Sequence, residues 1–210
     1  MKIKIALHFE KYLSAPYWPA RAKVIDVEKQ SGVNRVRSDA ARERALGDWL
    51  AAHGMTREEL DGLKALAERP FYTQEGTGEI LIPSLHFVAC MVRAAHQCSS
   101  SVRIARPEQL RSILFATALA TGKTEADGVW ERFVVVKSGT GQSLSCQRAL
   151  RSDPYLADFD ATGQLTFLGD KAALPKLQEF IRYAGREVGC GASRSMGWGR
   201  FTLAEFEAVA

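Results

Sequence analysis

A glycine-rich loop near the C-terminus restricts the fold of this chain more than any other part of its sequence. The loop reads GCGASRSMGWGRF from Gly189 to Phe201. It follows a segment, residues 171–187, whose apolar side chains recur at helical spacing, and it runs into a short strand-like segment, residues 200–206. Because glycine adopts positive φ readily, the pattern predicts a helix, a tightly turned loop that can approach a ligand closely, and a final strand.

The residues between the glycines suit contact with nucleic acid. Backbone amides of a glycine loop can point at phosphate oxygens, Arg194 and Arg200 add positive charge, and Trp198 offers a ring on which an unpaired base can stack. A nucleotide-binding GxGxxG loop opens a helix, whereas this loop precedes a strand, so the Rossmann and P-loop interpretations fail. The alternative is a loop that only connects helix to strand, and the residues alone leave both interpretations open.

Hydrophobic periodicity and cap residues predict the other elements. The predicted strands are residues 2–9, 79–82, 130–137, 164–168 and 200–206. The predicted helices are residues 38–54, 56–67, 84–96, 107–120 and 171–187, with Ser38, Thr56 and Ser84 as N-caps. Residues 14–33 are predicted to be irregular or to contain a short excursion. This order predicts an α+β, ferredoxin-like (RRM-like) β-α-β-β-α-β core in a single domain of residues 1–210, with a helical insertion at residues 35–70.

The charge of the chain permits a polyanionic partner without requiring one. Its 28 lysines and arginines exceed its 24 acidic residues, which gives a formal net charge of +4. Arginine presents paired donors to phosphate, and here it recurs in short groups. These groups are Arg35 and Arg37, Arg42 and Arg44, Arg103 and Arg106, Arg148 and Arg151, and Arg194 and Arg200. For each group the alternative is a solvated helix face.

Several classes of protein do not fit this composition. The N-terminal segment alternates in polarity and lacks the continuous apolar run of a signal peptide, and no run approaches the length of a membrane helix. The four cysteines have no C-x-x-C spacing, which favours reduced thiols in a cytoplasmic protein. We therefore predict no membrane partner, no structural metal and no cofactor.

The glycine pattern, G-x-G followed after five residues by G-x-G, resembles the signature loop of the RAMP superfamily. Proteins of that superfamily build class 1 CRISPR effector complexes or process their guide RNA. The matching positions are Gly189, Gly191, Gly197 and Gly199, with Ser193, Arg194, Ser195, Trp198, Arg200 and Phe201 resembling the usual residues around them. A weaker match, the strand-proline-serine sequence ending at Ser84, lacks the glycine expected after the proline and has His86 near the position of a common basic residue.

The resemblance implies a non-catalytic, guide-RNA-binding subunit of an effector complex, of the backbone or the 5′-capping type. The implied partners are guide RNA, other subunits of the complex and target nucleic acid. The helical insertion resembles the thumb-like insertions with which such subunits grip RNA or their neighbours. The implied RNA contacts are the matching loop residues together with Ser84, His86, Arg35, Arg37 and the turn residue Lys137.

A guide-processing endoribonuclease that acts without metal is the first alternative. That reaction needs a general base or acid, usually histidine, and His8 and His86 are the candidates. Asp26 falls in the region after the first strand, where some backbone subunits carry an aspartate that cuts target RNA. The second alternative is an unrelated ferredoxin-like binding module.

Overall fold

The computed structural model describes residues 1–14, 18–138 and 145–209. The chain divides into two compact units, one formed by residues 1–14 and 72–210 and the other by residues 15–71. The first unit carries the described strands and the glycine-rich loop, and the second is helical. Among the described residues, no helix is long and apolar enough to cross a membrane.

Six α-helices and eight strands are labelled here in chain order. The helices are α1 (Trp18–Gln30), α2 (Asp39–His53), α3 (Arg57–Glu68), α4 (Ser84–Gln97), α5 (Pro107–Ile113) and α6 (Leu174–Glu187). The strands are β1 (Lys2–Leu13), β2 (Tyr72–Thr73), β3 (Ile80–Ile82), β4 (Leu114–Ala116), β5 (Leu119–Ala120), β6 (Gly128–Ser138), β7 (Ser145–Phe167) and β8 (Phe201–Val209). They form one antiparallel sheet.

The centre of the sheet consists of β1 and β7. β7 pairs with β1 along one edge and with β4, β5 and β6 along the other, while β8 pairs with the free edge of β1. Counted along the chain, β1 is the first strand of the core, β4 to β6 together form an interrupted second strand, β7 is the third and β8 is the fourth. Their order across the sheet is then fourth, first, third, second, and α4 and α6 are the two connecting helices. This is the arrangement of a β-α-β-β-α-β sheet, so the predicted ferredoxin-like α+β fold is confirmed.

The predicted alternation of the first strand accounts for its central position. Ile3, Leu7 and Phe9 are fully buried, and the ring of Phe9 lies 5.3 Å from that of Phe201 at the start of β8. A Cβ on Gly185 of α6 would overlap the carbonyl oxygen of Phe201, so this helix lies directly against β8. The two ends of the glycine-rich loop are therefore fixed by a packed core.

The cap residues behave as predicted in two of three helices. The Ser38 hydroxyl caps α2, and Thr56 and Glu59 form the reciprocal hydrogen bonds of a capping box at α3. Ser84 is not an N-cap, because Pro83 occupies that position and Ser84 is the first residue of α4. Its side chain is therefore half-buried in the first turn and does not close the helix end.

Residues 14–33, predicted to be irregular or to contain a short excursion, contain the 13-residue helix α1. Pro19 is the second residue of this helix, where a missing amide breaks no helical hydrogen bond. Asp26 therefore lies on an exposed helical face and not in a loop after β1. This placement removes the reason for which it was a catalytic candidate.

The helix predicted over residues 107–120 ends at Ile113. The following three residues form β4, with Leu114 buried and paired opposite Phe167. Strand pairing and burial together outweigh the local helical preference of this segment.

The strand predicted over residues 164–168 is only the end of β7. This strand begins at Ser145, pairs with β6 as far as Tyr155, and then pairs with β1. Its acidic residues, among them Asp158 with a positive φ of 48°, break the apolar alternation by which strands are predicted.

The helical unit has an apolar core of its own. Val27, Leu46, Leu50 and Leu60 are buried together, from α1, α2 and α3. The predicted insertion at residues 35–70 lies within this unit, which also contains α1. The side chains of Arg35 and Arg37 are exposed around the start of α2, and their role in gripping RNA stays a prediction.

Candidate nucleic-acid interface

Hydrogen bonds hold the glycine-rich loop against the end of β1. The amide of Gly199 donates to the carbonyl of Lys11, and that of Ala192 donates to Leu13, both at 2.8 Å. Across the base of the loop, the amide of Cys190 donates to the carbonyl of Gly199 at 2.8 Å. The loop is therefore clamped to the central strand of the sheet at two points and closed across its base by a third hydrogen bond.

Each of the four signature glycines has a positive φ, between 73° and 85°. A Cβ on Gly199 would overlap the carbonyl oxygen of Cys190, and one on Gly191 would overlap that of Leu13. By contrast, a Cβ on Gly197 would meet nothing within 4 Å. The prediction of positive φ is confirmed, and at Gly191 and Gly199 the backbone also approaches too closely for any side chain.

The amides of three of these glycines do not serve as phosphate donors in the way that the sequence suggests. Gly189 donates to Ala184 at 2.9 Å, Gly197 donates to Arg194 at 3.0 Å, and Gly199 donates to Lys11. These three amides are satisfied within the protein, so the expectation that they face phosphate is wrong for them, while for Gly191 it stays a prediction. The glycines shape the loop, and the side chains carried between them are further groups available to a ligand.

Three arginines line a cavity of about 360 Å³ beside the loop, which we call the arginine cavity. Arg93 comes from α4, and Arg194 and Arg200 come from the loop. None of the three guanidiniums forms an ion pair with a carboxylate among the described residues. Glu187 also lines the cavity, but its carboxylate is held 2.7 Å from Nε of Arg186. The cavity thus concentrates uncompensated positive charge.

Neutral donors complete the wall of the arginine cavity. Ser193 and Ser195 of the loop and Gln97 of α4 line it together with the arginines. Hydroxyl and amide groups commonly accompany arginine where proteins contact the phosphates and sugars of nucleic acids. The donor set therefore fits an anion such as a phosphodiester.

Trp198 anchors the loop to the sheet. Its ring centroid lies 5.0 Å from that of Trp130 in β6 and 5.4 Å from that of Tyr155 in β7, and Nζ of Lys11 lies 5.8 Å from it. The indole is half-buried in this cluster. Much of its surface is therefore used by the fold, and base stacking on the rest of the ring stays a prediction.

His86, a half-buried residue of α4, is hydrogen-bonded to a buried tyrosine and lies near Arg194. Its Nδ1 is 3.0 Å from the hydroxyl of Tyr12, a fully buried residue of β1. Burial lowers the pKa of His86 below its ordinary value, and the positive charge of Arg194 lowers it further. His86 is therefore held neutral at physiological pH and positions Tyr12 beneath the loop.

His8 has carboxylate partners that its sequence neighbours do not reveal. Its Nδ1 lies 3.0 Å from Oδ1 of Asp160, its partner across the β1–β7 ladder, and its Nε2 lies 3.6 Å from Oδ1 of Asp158. It also lines a second cavity, of about 480 Å³, together with Arg200. A histidine oriented by a carboxylate is one element of general acid–base chemistry.

Known structures share this fold, although neither the protein-family models nor the curated proteins compared with the chain match it. A chain in the cryo-EM structure of the type III-B Cmr-beta bound to cognate target RNA matches 98% of this chain with a TM-score of 0.50 and 9% sequence identity. This chain therefore shares its fold with that Cmr chain. It spans 59% of the length of that Cmr chain. The crystal structure of Cmr6 from Pyrococcus furiosus aligns with the whole of this chain and over 98% of the Cmr6 chain. The sequence identity is 13% and the TM-score is 0.32.

The fold brings together most of the loop residues predicted from the sequence. Gly191, Ser193, Arg194, Ser195 and Arg200 line one cavity. Arg35 and Arg37 belong to the helical unit, and Lys137 lies on β6 with its side chain outside the described residues.

No sequence motif marks the cavity residues that the helices contribute. Arg93 and Gln97 of α4 are four residues apart, as are Arg182 and Arg186 of α6. This spacing predicts a shared helical face, but it is equally typical of a solvated surface. Only the fold shows that these faces meet the loop.

Proposed function

We propose that this chain binds guide RNA as a non-catalytic subunit of a cytoplasmic class 1 CRISPR ribonucleoprotein complex. The arginine cavity carries the proposal, because it combines three guanidiniums that lack ion pairs with a loop whose pattern resembles the RAMP signature. A chain in the structure of a Cmr complex bound to cognate target RNA shares the fold, which supports a nucleic acid as the ligand.

The chemistry of the arginine cavity favours the RNA backbone over the bases. Guanidinium groups form paired, charge-assisted hydrogen bonds with phosphate, while serine hydroxyls suit phosphate or ribose. The clamped loop holds Arg194 and Arg200 before any ligand arrives, so little conformational entropy is lost on binding. Binding should therefore tolerate many sequences and weaken as salt increases.

A second surface supports the proposal of protein partners within such a complex. Val129, Phe133 and Val135 alternate along one face of β6 and are 56%, 76% and 62% exposed. Leu150 of β7, paired directly opposite Phe133, is 58% exposed on the same face. An exposed apolar face of this kind marks a protein contact, and we assign it to a neighbouring subunit.

Titration of labelled, guide-like RNA with the purified chain tests the proposal. We expect saturable binding that weakens steadily between low and moderate salt, with little difference between RNA sequences of equal length. Absence of binding at low salt would favour the unrelated ferredoxin-like module. Binding that does not respond to salt would contradict the role of the arginines.

A guide-processing endoribonuclease is the second candidate, favoured by the contact between His8 and Asp160. His8 shares its cavity with Arg200, a cation that can stabilise charge on a pentacoordinate phosphate. Incubation of repeat RNA with the chain, with and without chelator, separates the two candidates. Cleavage that His8→Ala abolishes, and that Thr202→Ala in the same cavity leaves intact, would replace the non-catalytic proposal.

A further inference from the structure

A second cavity adjoins the arginine cavity and shares Arg200 with it. Its volume is about 480 Å³, and its other cations are Arg182 and Arg186 of α6. We propose that the RNA backbone continues from the arginine cavity across Arg200 into this second cavity, where Arg182 and Arg186 bind a further phosphate. This inference rests on the proposed function and extends the RNA path to a helix outside the signature loop.

The geometry of α6 suits this role. Arg182 and Arg186 are separated by four residues, so they lie on one face of the helix and one turn apart. Both side chains are exposed. Because α6 lies directly against β8 at Gly185, the helical face that carries these arginines is fixed relative to Arg200 at the start of that strand.

The charge balance of the second cavity also favours an anion. Arg182 and Arg200 form no ion pair among the described residues, and Arg186 contacts only Glu187, through Nε. Glu10 is the acidic residue in the wall of the cavity. Asp158 and Asp160, which hold His8, do not line it. Positive charge therefore predominates in this cavity as it does in the first.

The shared residue explains how two cavities can serve one ligand. Arg200 has five N–H donors in a planar group, so it can contact phosphates on both sides. A polymer with regularly spaced charges benefits from such a continuous row of cations, whereas a single small anion fills only one cavity. The observations thus favour a nucleic acid strand over a mononucleotide or an isolated phosphate.

The test measures how arginine substitution changes the affinity for a short RNA and for a longer one. The double variant Arg182→Ala/Arg186→Ala is measured against Arg106→Ala/Arg111→Ala, which removes the same charge from exposed positions on and beside α5. Binding of a uridine trinucleotide and of a longer oligouridylate is followed by fluorescence anisotropy over a range of salt. Melting temperature is recorded for both variants to confirm that they are folded.

We expect the α6 variant to bind the trinucleotide like the parent and the longer RNA at least about tenfold more weakly, because charge-assisted contacts are lost. The slope of log K against log salt should become shallower by about 0.7 for one lost phosphate contact on a single strand. If the control variant lost as much affinity for the longer RNA as the α6 variant, the inference would be overturned, since the loss would then reflect net charge alone.

The inference and the proposed function fail in different ways. If Arg194→Ala weakens binding of the longer RNA while the α6 variant does not, RNA binds the loop but does not follow the second cavity. If neither the parent nor any variant binds RNA, both are wrong. If the α6 variant binds RNA normally but no longer assembles with protein partners, α6 contacts a protein and the inference is overturned.

Discussion

Replacing Gly199 with alanine places a methyl group where the backbone of Cys190 already lies. The new Cβ overlaps the Cys190 carbonyl oxygen, and the residue must keep a φ of 73° that an L-amino acid rarely adopts. To relieve this overlap, the segment around Gly199 must move. That movement breaks two hydrogen bonds, one from the Gly199 amide to the Lys11 carbonyl and one from the Cys190 amide to the Gly199 carbonyl. The left-handed conformation costs about 1 to 2 kcal/mol, and loss of the two hydrogen bonds brings the total to about 4 kcal/mol.

Gly197→Ala is the matched control for this change. Its φ of 85° carries the same conformational cost, but its Cβ would stand in open space. At about 2 to 4 °C per kcal/mol for a chain of this size, we expect Gly199→Ala to lower Tm by about 12 °C and Gly197→Ala by about 4 °C. The first variant should also bind RNA more weakly, because displacement of the clamp moves the neighbouring Arg200.

Thermal unfolding followed by circular dichroism, together with RNA titration well below Tm, measures both effects. Equal decreases in Tm for the two variants would refute the reasoning, since they would show that the clamp to β1 adds nothing to the cost of positive φ. An unchanged RNA affinity in a destabilised but folded Gly199→Ala variant would show that the position of the loop does not govern binding.

Three further predictions concern residues around the loop and the sheet. The pKa of His86 is lowered in the folded chain, so neutral His86 contributes fully to stability above about pH 6.5, and this contribution is lost as pH falls toward the lowered pKa. The loss of unfolding free energy between about pH 7 and pH 5, measured by denaturant titration, should therefore be smaller in His86→Gln. Trp198→Ala should lower the free energy of unfolding by about 3 kcal/mol at most, because a half-buried ring loses its contact with Trp130, and calorimetry measures the change. Phe133→Ser should leave Tm within about 2 °C of the parent yet reduce co-purification with partner subunits, because its side chain is 76% exposed.

Local signals in the sequence predicted local structure well. Ser38 and the Thr56–Glu59 capping box mark helix starts through contacts within four residues, so no knowledge of the fold is needed to interpret them. The positive φ of the signature glycines is likewise a property of the segment itself. The end of α5 at Ile113 could not be predicted in this way, because pairing with distant β7 decides it.

The parts of the site that the sequence missed depend on contacts between distant segments. His8 meets Asp160 only through the register of β1 and β7, and Tyr12 meets His86 only where β1 passes beneath α4. The sequence also suggested that the glycine amides face the ligand, but Gly199 donates instead to the carbonyl of Lys11 in β1, and Gly189 donates to that of Ala184 in α6. Such pairings follow from topology, which residue spacing alone does not fix.

The central claim is that the arginine cavity binds the RNA backbone, and one comparison tests it most directly. The salt dependence of guide-RNA affinity is measured for Arg93→Ala/Arg194→Ala and for the charge-matched control Arg106→Ala/Arg111→Ala, both at unchanged Tm. We expect the cavity variant alone to lose at least about tenfold in affinity, with a slope of log K against log salt shallower by about 1.4. Parent-like affinity and slope in the cavity variant would contradict the account.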